Sequence, residues 1–161
     1  ISSILNNNFS TTSSSTTTTK ENEPVKKSVF ISQSYDIFTN LAIEDWIYRN
    51  YDLKNHHILM LWISNPCVVI GRHQNPFNET NVCQLKSVGI DLARRNSGGG
   101  TVYHDRNNLN CSFFTPRERY DRKYNLNLIT RAIYREYGID TEISDRDDIL
   151  LHGKKVSYKV Q

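Results

Sequence analysis

Two continuous apolar runs most constrain the fold of this chain: Ile58-Leu59-Met60-Leu61-Trp62-Ile63 and Val68-Val69-Ile70, bounded by Asn65-Pro66 and by Gly71. A strand with one wet face alternates apolar and polar side chains. Uninterrupted runs of this length, rich in branched and aromatic residues, therefore predict strands covered on both faces, and the short link through Asn65-Pro66 predicts a hairpin. Upstream, residues 29–32 are strand-like. Ile37, Leu41 and Trp46 or Ile47 recur at helical spacing behind Asp36, a capping residue type, which predicts a helix over 37–50. Downstream, Val82 and Leu85 share one face of a short helix over 79–88 that Gly89 ends, and strands follow over 90–93, 101–103 and 110–114. Leu126, Ile129, Ile133 and Tyr137 mark a helix over 125–137 stopped by Gly138. Residues 139–143, 148–151 and 155–157, with Gly153 as the last turn, complete an α/β pattern: a mixed sheet flanked by helices.

Ordered structure is expected from about Val29. Residues 1–28 are dominated by Ser, Thr and Asn, with too little apolar surface to offset the entropy of ordering, and read as a disordered leader. They carry no acidic residue before Glu21 but also no arginine, an incomplete targeting signature. The chain opens on Ile1 rather than methionine, which reads as a piece lacking its own start. The remaining residues 29–161 suffice for one domain with a modest core, given 37% apolar residues over the chain. A formal net charge of +3, without a basic run interleaved with aromatics, argues against a nucleic-acid partner. Cys67, Cys83 and Cys111 stand far apart, with neither zinc spacing nor a disulfide framework, so no metal site is expected. No apolar run approaches the roughly eighteen residues of a membrane span.

The chemistry concentrates in Arg94-Arg95-Asn96-Ser97-Gly98-Gly99-Gly100-Thr101-Val102-Tyr103-His104-Asp105. Three glycines free the backbone for positive φ and let N–H groups converge on an anion, and the two arginines before them bring permanent charge and bidentate donors. Alone, Gly-Gly-Gly serves a plain turn as readily as a ligand cradle; a plain turn does not need these flanks. The pattern is neither G-x-x-x-x-G-K-[ST] nor G-x-G-x-x-G, which removes the P-loop and dinucleotide-binding readings.

Arg146 and Lys155 are further cationic candidates. Each is also readable as an ordinary surface charge, and only the fold can bring them to the loop. Arg72 and Asn75, directly after a buried strand, are possible site-lining residues or a polar turn. His104 and Asp105 are neighbours on a strand and point to opposite faces, so they cannot form a dyad. His56-His57 reads as a loop pair. Cys111 reads as a small core residue, because no base stands near it to make it a nucleophile.

Several motifs in order then name a family. Asn40-Leu41-Ala42-Ile43-Glu44-Asp45-Trp46, Val68-Val69-Ile70-Gly71-Arg72-His73-Gln74-Asn75-Pro76, the stretch from Arg94 to Asp105, Asn108-Leu109-Asn110 and Lys155-Val156-Ser157 resemble the lipoate-protein ligases, most closely the mitochondrial lipoyltransferases of eukaryotes. The resemblance covers about residues 29–157. It implies a catalytic domain of the biotin/lipoate ligase, class II synthetase-like type that holds lipoyl-AMP. It places Arg95, Ser97, Gly98, Gly99, Gly100, Thr101, Val102, Tyr103, His104, Arg146 and Lys155 at the adenylate, with Asn110 among the possible lining residues. Lys155 falls on the reactive-site lysine. Transfer of the lipoyl group to a lysine of an acceptor protein is implied, with lipoate, ATP and magnesium needed as well if the protein is a complete ligase.

Implied acceptors are the lipoyl domains of 2-oxoacid dehydrogenase complexes and the H-type protein of glycine cleavage, and the implied setting is a mitochondrial monomer. Two departures stand out. Asn107 replaces a usual glycine, and Tyr158-Lys159-Val160-Gln161 replaces the usual small residues after Ser157. These, with the greater length of family members, lead to the expectation of a C-terminally truncated catalytic domain, and of an inactive binding or regulatory product as the alternative to an enzyme.

Overall fold

The structure, a computed structural model, describes residues 25–157. The expected disordered leader falls outside the described residues up to residue 24, as do residues 158–161. The first strand, β1 (Lys26–Ile31), begins three residues before the expected Val29. Parallel pairing to β2 (His56–Trp62) recruits Lys26, Lys27 and Ser28 through their main chain, for which polar side chains are no obstacle. Ordered structure thus includes three residues assigned from composition to the leader.

Helix α1 (Ile37–Asn50) follows, capped by Asp36, whose carboxylate accepts from Thr39 N at 2.7 Å. Its buried face carries Ile37, Asn40 and Ile47, while Trp46 points outward. Asn40 is fully buried and fully used. It donates to Ser34 O and Ile63 O at 3.0 and 3.1 Å and accepts from Ser32 Oγ at 2.6 Å, so it pins the entry loop to the end of β2.

The two apolar runs are strands, but not a hairpin. β2 lies between β1 and β6 (Asn110–Phe114), whereas β3 (Cys67–Ile70) lies between β4 (Asp91–Arg94) and β5 (Val102–His104) in a second sheet. Both sheets are mixed, each central strand having one parallel and one antiparallel neighbour. The link through Asn65-Pro66 turns away because Asn65 N donates to Tyr35 O, back to the entry of α1, instead of closing a tight turn. Ile58, Met60 and Trp62 from one sheet meet Val69 and Ala93 from the other, with Ile37 and Ile47 of α1 and Phe114 closing the core.

The short helix expected over 79–88 is α3 (Val82–Ser87), and a separate one-turn helix, α2 (Pro76–Glu79), precedes it. Asn75 and Asn81 each supply a side-chain cap, and a second cap within six residues forces a break. Helix α4 (Arg122–Tyr137) starts three residues before the expected Asn125, where Asp121 caps it, and ends at Gly138 with φ 66°. β7 (Glu142–Ile143), β8 (Ile149–Leu151) and β9 (Lys154–Lys155) form a third, antiparallel sheet, so the mixed α/β pattern is distributed over three small sheets.

Candidate functional site

Strand β4 delivers Arg94 and Arg95 to the glycine loop, and β5 leads out of it. The guanidinium of Arg95 is turned inward and is only 5% exposed. It donates to Val69 O at 3.1 Å, to Gly98 O at 3.2 and 2.9 Å, and to Gly100 O at 2.7 Å. A trans peptide holds its C=O and the next N–H antiparallel, so drawing the carbonyls of Gly98 and Gly100 onto Arg95 turns the N–H groups of Gly99 and Thr101 the other way. One arginine thus organises the loop as a set of outward donors. Burial pulls its pKa down, and the Glu44 carboxylate opposes that. Arg94 performs the matching task on residues 71–74, donating through Nη1 to Gly71 O, Arg72 O and Gln74 O at 3.0, 3.1 and 2.7 Å.

The two loops fit without room for a side chain. A Cβ on Gly71 would lie 2.2 Å from Gly99 O, and Arg72 N donates to Ser97 O at 2.9 Å. Asn96 Nδ2 reaches Asp45 Oδ1 on α1 at 2.6 Å, which ties the loop to the helix.

Opposite the glycine loop stands the β7–β8–β9 hairpin. Residues 144–148 turn tightly: Asp147 has φ 58°, its N–H donates to Ser144 O, and Ser144 N donates to Asp148 O. That turn presents Arg146. Lys155, on β9 opposite Leu150, ion-pairs with Asp148 at 3.0 Å. Arg95, Gly100, Thr101, Val102, Arg146, Asp148 and Lys155 line one cavity of about 350 Å³. Three cations facing one carboxylate leave positive charge in excess, which suits an anion.

Ser97, Gly98, Gly99, Tyr103 and His104 do not line this cavity. Strand alternation turns Tyr103 outward, whereas Val102 and His104 point inward. Of the possible lining residues, Arg72 joins the loop through its main chain, and Asn75 spends its side chain capping α2. Asn110 accepts from Asn108 Nδ2 at 3.2 Å. Cys111 is partly buried in β6, and burial pushes its thiol pKa up, away from a nucleophilic thiolate. Among the described residues no three of His, Cys, Asp or Glu are grouped as metal ligands, and no helix is long and apolar enough to cross a membrane.

Behind the cavity lies a polar cluster that motif reading missed. Trp62 Nε1 donates to Ser112 Oγ at 3.0 Å, and Ser112 Oγ donates to Glu44 Oε1. Burial raises the pKa of Glu44, while the bonds from Ser112 and Trp62 and the charge of Arg95 lower it; burial prevails. The ring of His104 stands edge-on to Trp62 at 5.9 Å. Burial and the Arg95 charge lower the His104 pKa, which keeps the imidazole neutral near pH 7. The signal for Glu44 was in the sequence: it follows Asn40 by four residues and precedes Ile47 by three, an acid on the buried stripe of α1.

Residues 36–157 match the model of the lipoyl protein ligase A/B catalytic domain. The chain belongs to this family. It is 49% identical over 124 residues to the mitochondrial lipoyl amidotransferase LIPT1 of Homo sapiens, covering 76% of this chain and 33% of that protein. The crystal structure of P. falciparum LipL1 in complex with lipoate superposes with a TM-score of 0.73 at 30% identity, covering 80% of this chain and 42% of that one. A bipartite lipoate protein ligase from Thermoplasma acidophilum, studied with its E2 lipoyl domain, superposes with a TM-score of 0.65 at 26% identity, over 80% of this chain and 51% of that one. The chain spans about a third of the length of the curated relatives it matches.

Proposed function

We propose that this protein transfers a lipoyl group from lipoyl-AMP to the ε-amine of an acceptor-protein lysine, forming an amide. One observation carries the reading: the glycine loop, Arg146 and Lys155, separated by some fifty residues of chain, meet around a single cationic cavity. The outward N–H of Thr101, with Arg146, receives the phosphate. Lys155, held by Asp148, places its ammonium where negative charge grows on the phosphate oxygen as the mixed anhydride opens. The amine attacks the lipoyl carbonyl, a C–N bond forms, the acyl C–O bond to phosphorus breaks, AMP leaves, and the amine releases a proton to solvent. Lys155 works by electrostatics and forms no bond to the acyl group.

The likeness to the T. acidophilum ligase favours a second reading, the complete ligase that first makes the adenylate from lipoate and ATP. Magnesium would then enter on the phosphates of ATP, since Asp148, the one carboxylate of the cavity lining, is paired with Lys155. Acceptors under either reading are lipoyl domains of 2-oxoacid dehydrogenase complexes and the H-type protein of glycine cleavage. A mitochondrial setting rests on the likeness to LIPT1. The deciding experiment supplies an acceptor lipoyl domain with lipoyl-AMP, or with lipoate and Mg–ATP. Transfer with lipoyl-AMP alone supports the amidotransferase, transfer with both the complete ligase, and transfer with neither rejects the two readings together.

A further inference from the structure

Gln74 lies outside the cavity, in the turn between β3 and α2, yet its side chain reaches the cavity wall. Its Oε1 accepts from Gly71 N at 2.8 Å and stands 3.0 Å from Thr101 Oγ1. Gly71 N–H is purely a donor, so the amide must present oxygen to it, and the Thr101 hydroxyl facing that same oxygen must donate. A second acceptor competes for that one proton, Glu79 Oε2 at 3.1 Å from Thr101 Oγ1. The main chain of Gln74 is held as firmly: its carbonyl accepts from Arg94, and its N–H donates to Gly71 O. Thr101 is therefore gripped from two sides, by Gln74 through its hydroxyl and by Arg95 through the preceding carbonyl of Gly100.

We infer that Gln74 is a positioning residue: by receiving Gly71 N–H and the Thr101 hydroxyl at one oxygen, it sets the height of Thr101 at the cavity wall and so governs adenylate binding. The inference rests on the proposed function for its ligand but not for its geometry. A residue acting this way shifts the KM for lipoyl-AMP and spares the chemical step, because Lys155 belongs to a different element.

The test is Gln74→Met, which keeps side-chain length and removes the acceptor, measured in the wild-type and Thr101→Val backgrounds. Expected is a roughly tenfold rise in KM for lipoyl-AMP in the wild-type background, with kcat within about threefold and the KM for the acceptor domain unmoved. In the Thr101→Val background the same change should cost less than about threefold, since the shared contact is already gone. An equal factor in both backgrounds, an unmoved KM, or a loss confined to kcat overturns the proposal. A second readout does not depend on the donor. Arg72 N–H, which bridges the 71–74 turn to Ser97 O, should exchange with solvent at least about tenfold faster in Gln74→Met, while Asn40 N–H in α1 keeps its rate. An unchanged Arg72 rate sinks the positioning role even if wild-type protein proves inactive with lipoyl-AMP, an outcome that separately rejects the functional reading.

Discussion

The two walls of the cavity are built by opposite means. The glycine-loop wall is continuous with the core: Arg95 is nearly inaccessible, three main-chain carbonyls converge on it, and Gly71 meets Gly99 with no space between them. The hairpin wall stands on three short strands in which only Ile149 is buried among its strand residues, and two ion pairs, Arg122–Asp147 and Lys155–Asp148, supplement the ladder. Hydrogen bonds shielded from water hold a fixed shape, whereas a ladder with little apolar cover opens at low free-energy cost. Under the proposed function the loop wall is a preformed mould for the anion, and the hairpin wall brings the Lys155 ammonium to it. Rigidity and reactivity have been assigned to different segments.

The sharpest challenge to that division is Lys155→Ala. Transfer should fall by about 10²–10³-fold, about 3–4 kcal/mol of transition-state stabilisation, while the melting temperature barely moves because the side chain is 41% exposed. Equal loss of activity and stability would show that the hairpin is as structural as the loop. Gly71→Ala probes the other wall. A Cβ against the Gly99 carbonyl forces the loops apart, and unfolding should show a stability loss of about 2 kcal/mol; a neutral effect would mean the mould is soft.

Glu44 tests whether the loop wall extends into the polar cluster behind it. Because burial raises its pKa, the folded state keeps a proton that the unfolded chain has released once pH exceeds the ordinary 4.5. Stability through this group therefore falls as pH climbs from there to the raised value. Glu44→Gln should gain stability relative to wild type over the same window and show no further divergence above it. Parallel melting curves at all pH values would contradict the assignment. The smallest effect expected is that of Arg122→Ala. Its ion pair is partly exposed and worth about 0.5 kcal/mol, so global melting should hold while amide exchange across residues 144–155 quickens severalfold.

Local structure was legible in the sequence where one chain segment decides it. The stop at Gly138, the Asp36 cap and the bend at Gly153 all follow from residues whose preferences need no distant partner. Pairing was not legible in the same way: nothing within 58–70 specifies that β2 joins β1 and β6 while β3 joins β4 and β5. The candidate site shows the same boundary. Residue types in the glycine loop announced an anion, but the direction of Arg95, inward to carbonyls, depends on Val69 and on the return of the loop at Gly100. The cap at Asn81 was readable as such, yet the expected helix began two residues before it, at Glu79. Glu44 was overlooked because an acid on a helix is ordinarily solvated, although its position on the buried stripe argued otherwise.

The turn joining β8 to β9 has a consequence for how the protein tolerates change in length. His152 and Gly153 have φ 49° and 72°, a two-residue connection in which both members are left-handed, and Leu151 pairs with Lys154 across it. Side chains in a strand alternate faces with a period of two, so one residue gained or lost there would send Lys155 to the far side of its sheet without altering a single atom of the cavity wall it faces. The turn therefore acts as a parity check. Substitution at His152 is tolerated only by residues that accept a left-handed backbone, and an insertion or deletion of odd length would, under the proposed function, disconnect the Lys155 ammonium from the phosphate in one step.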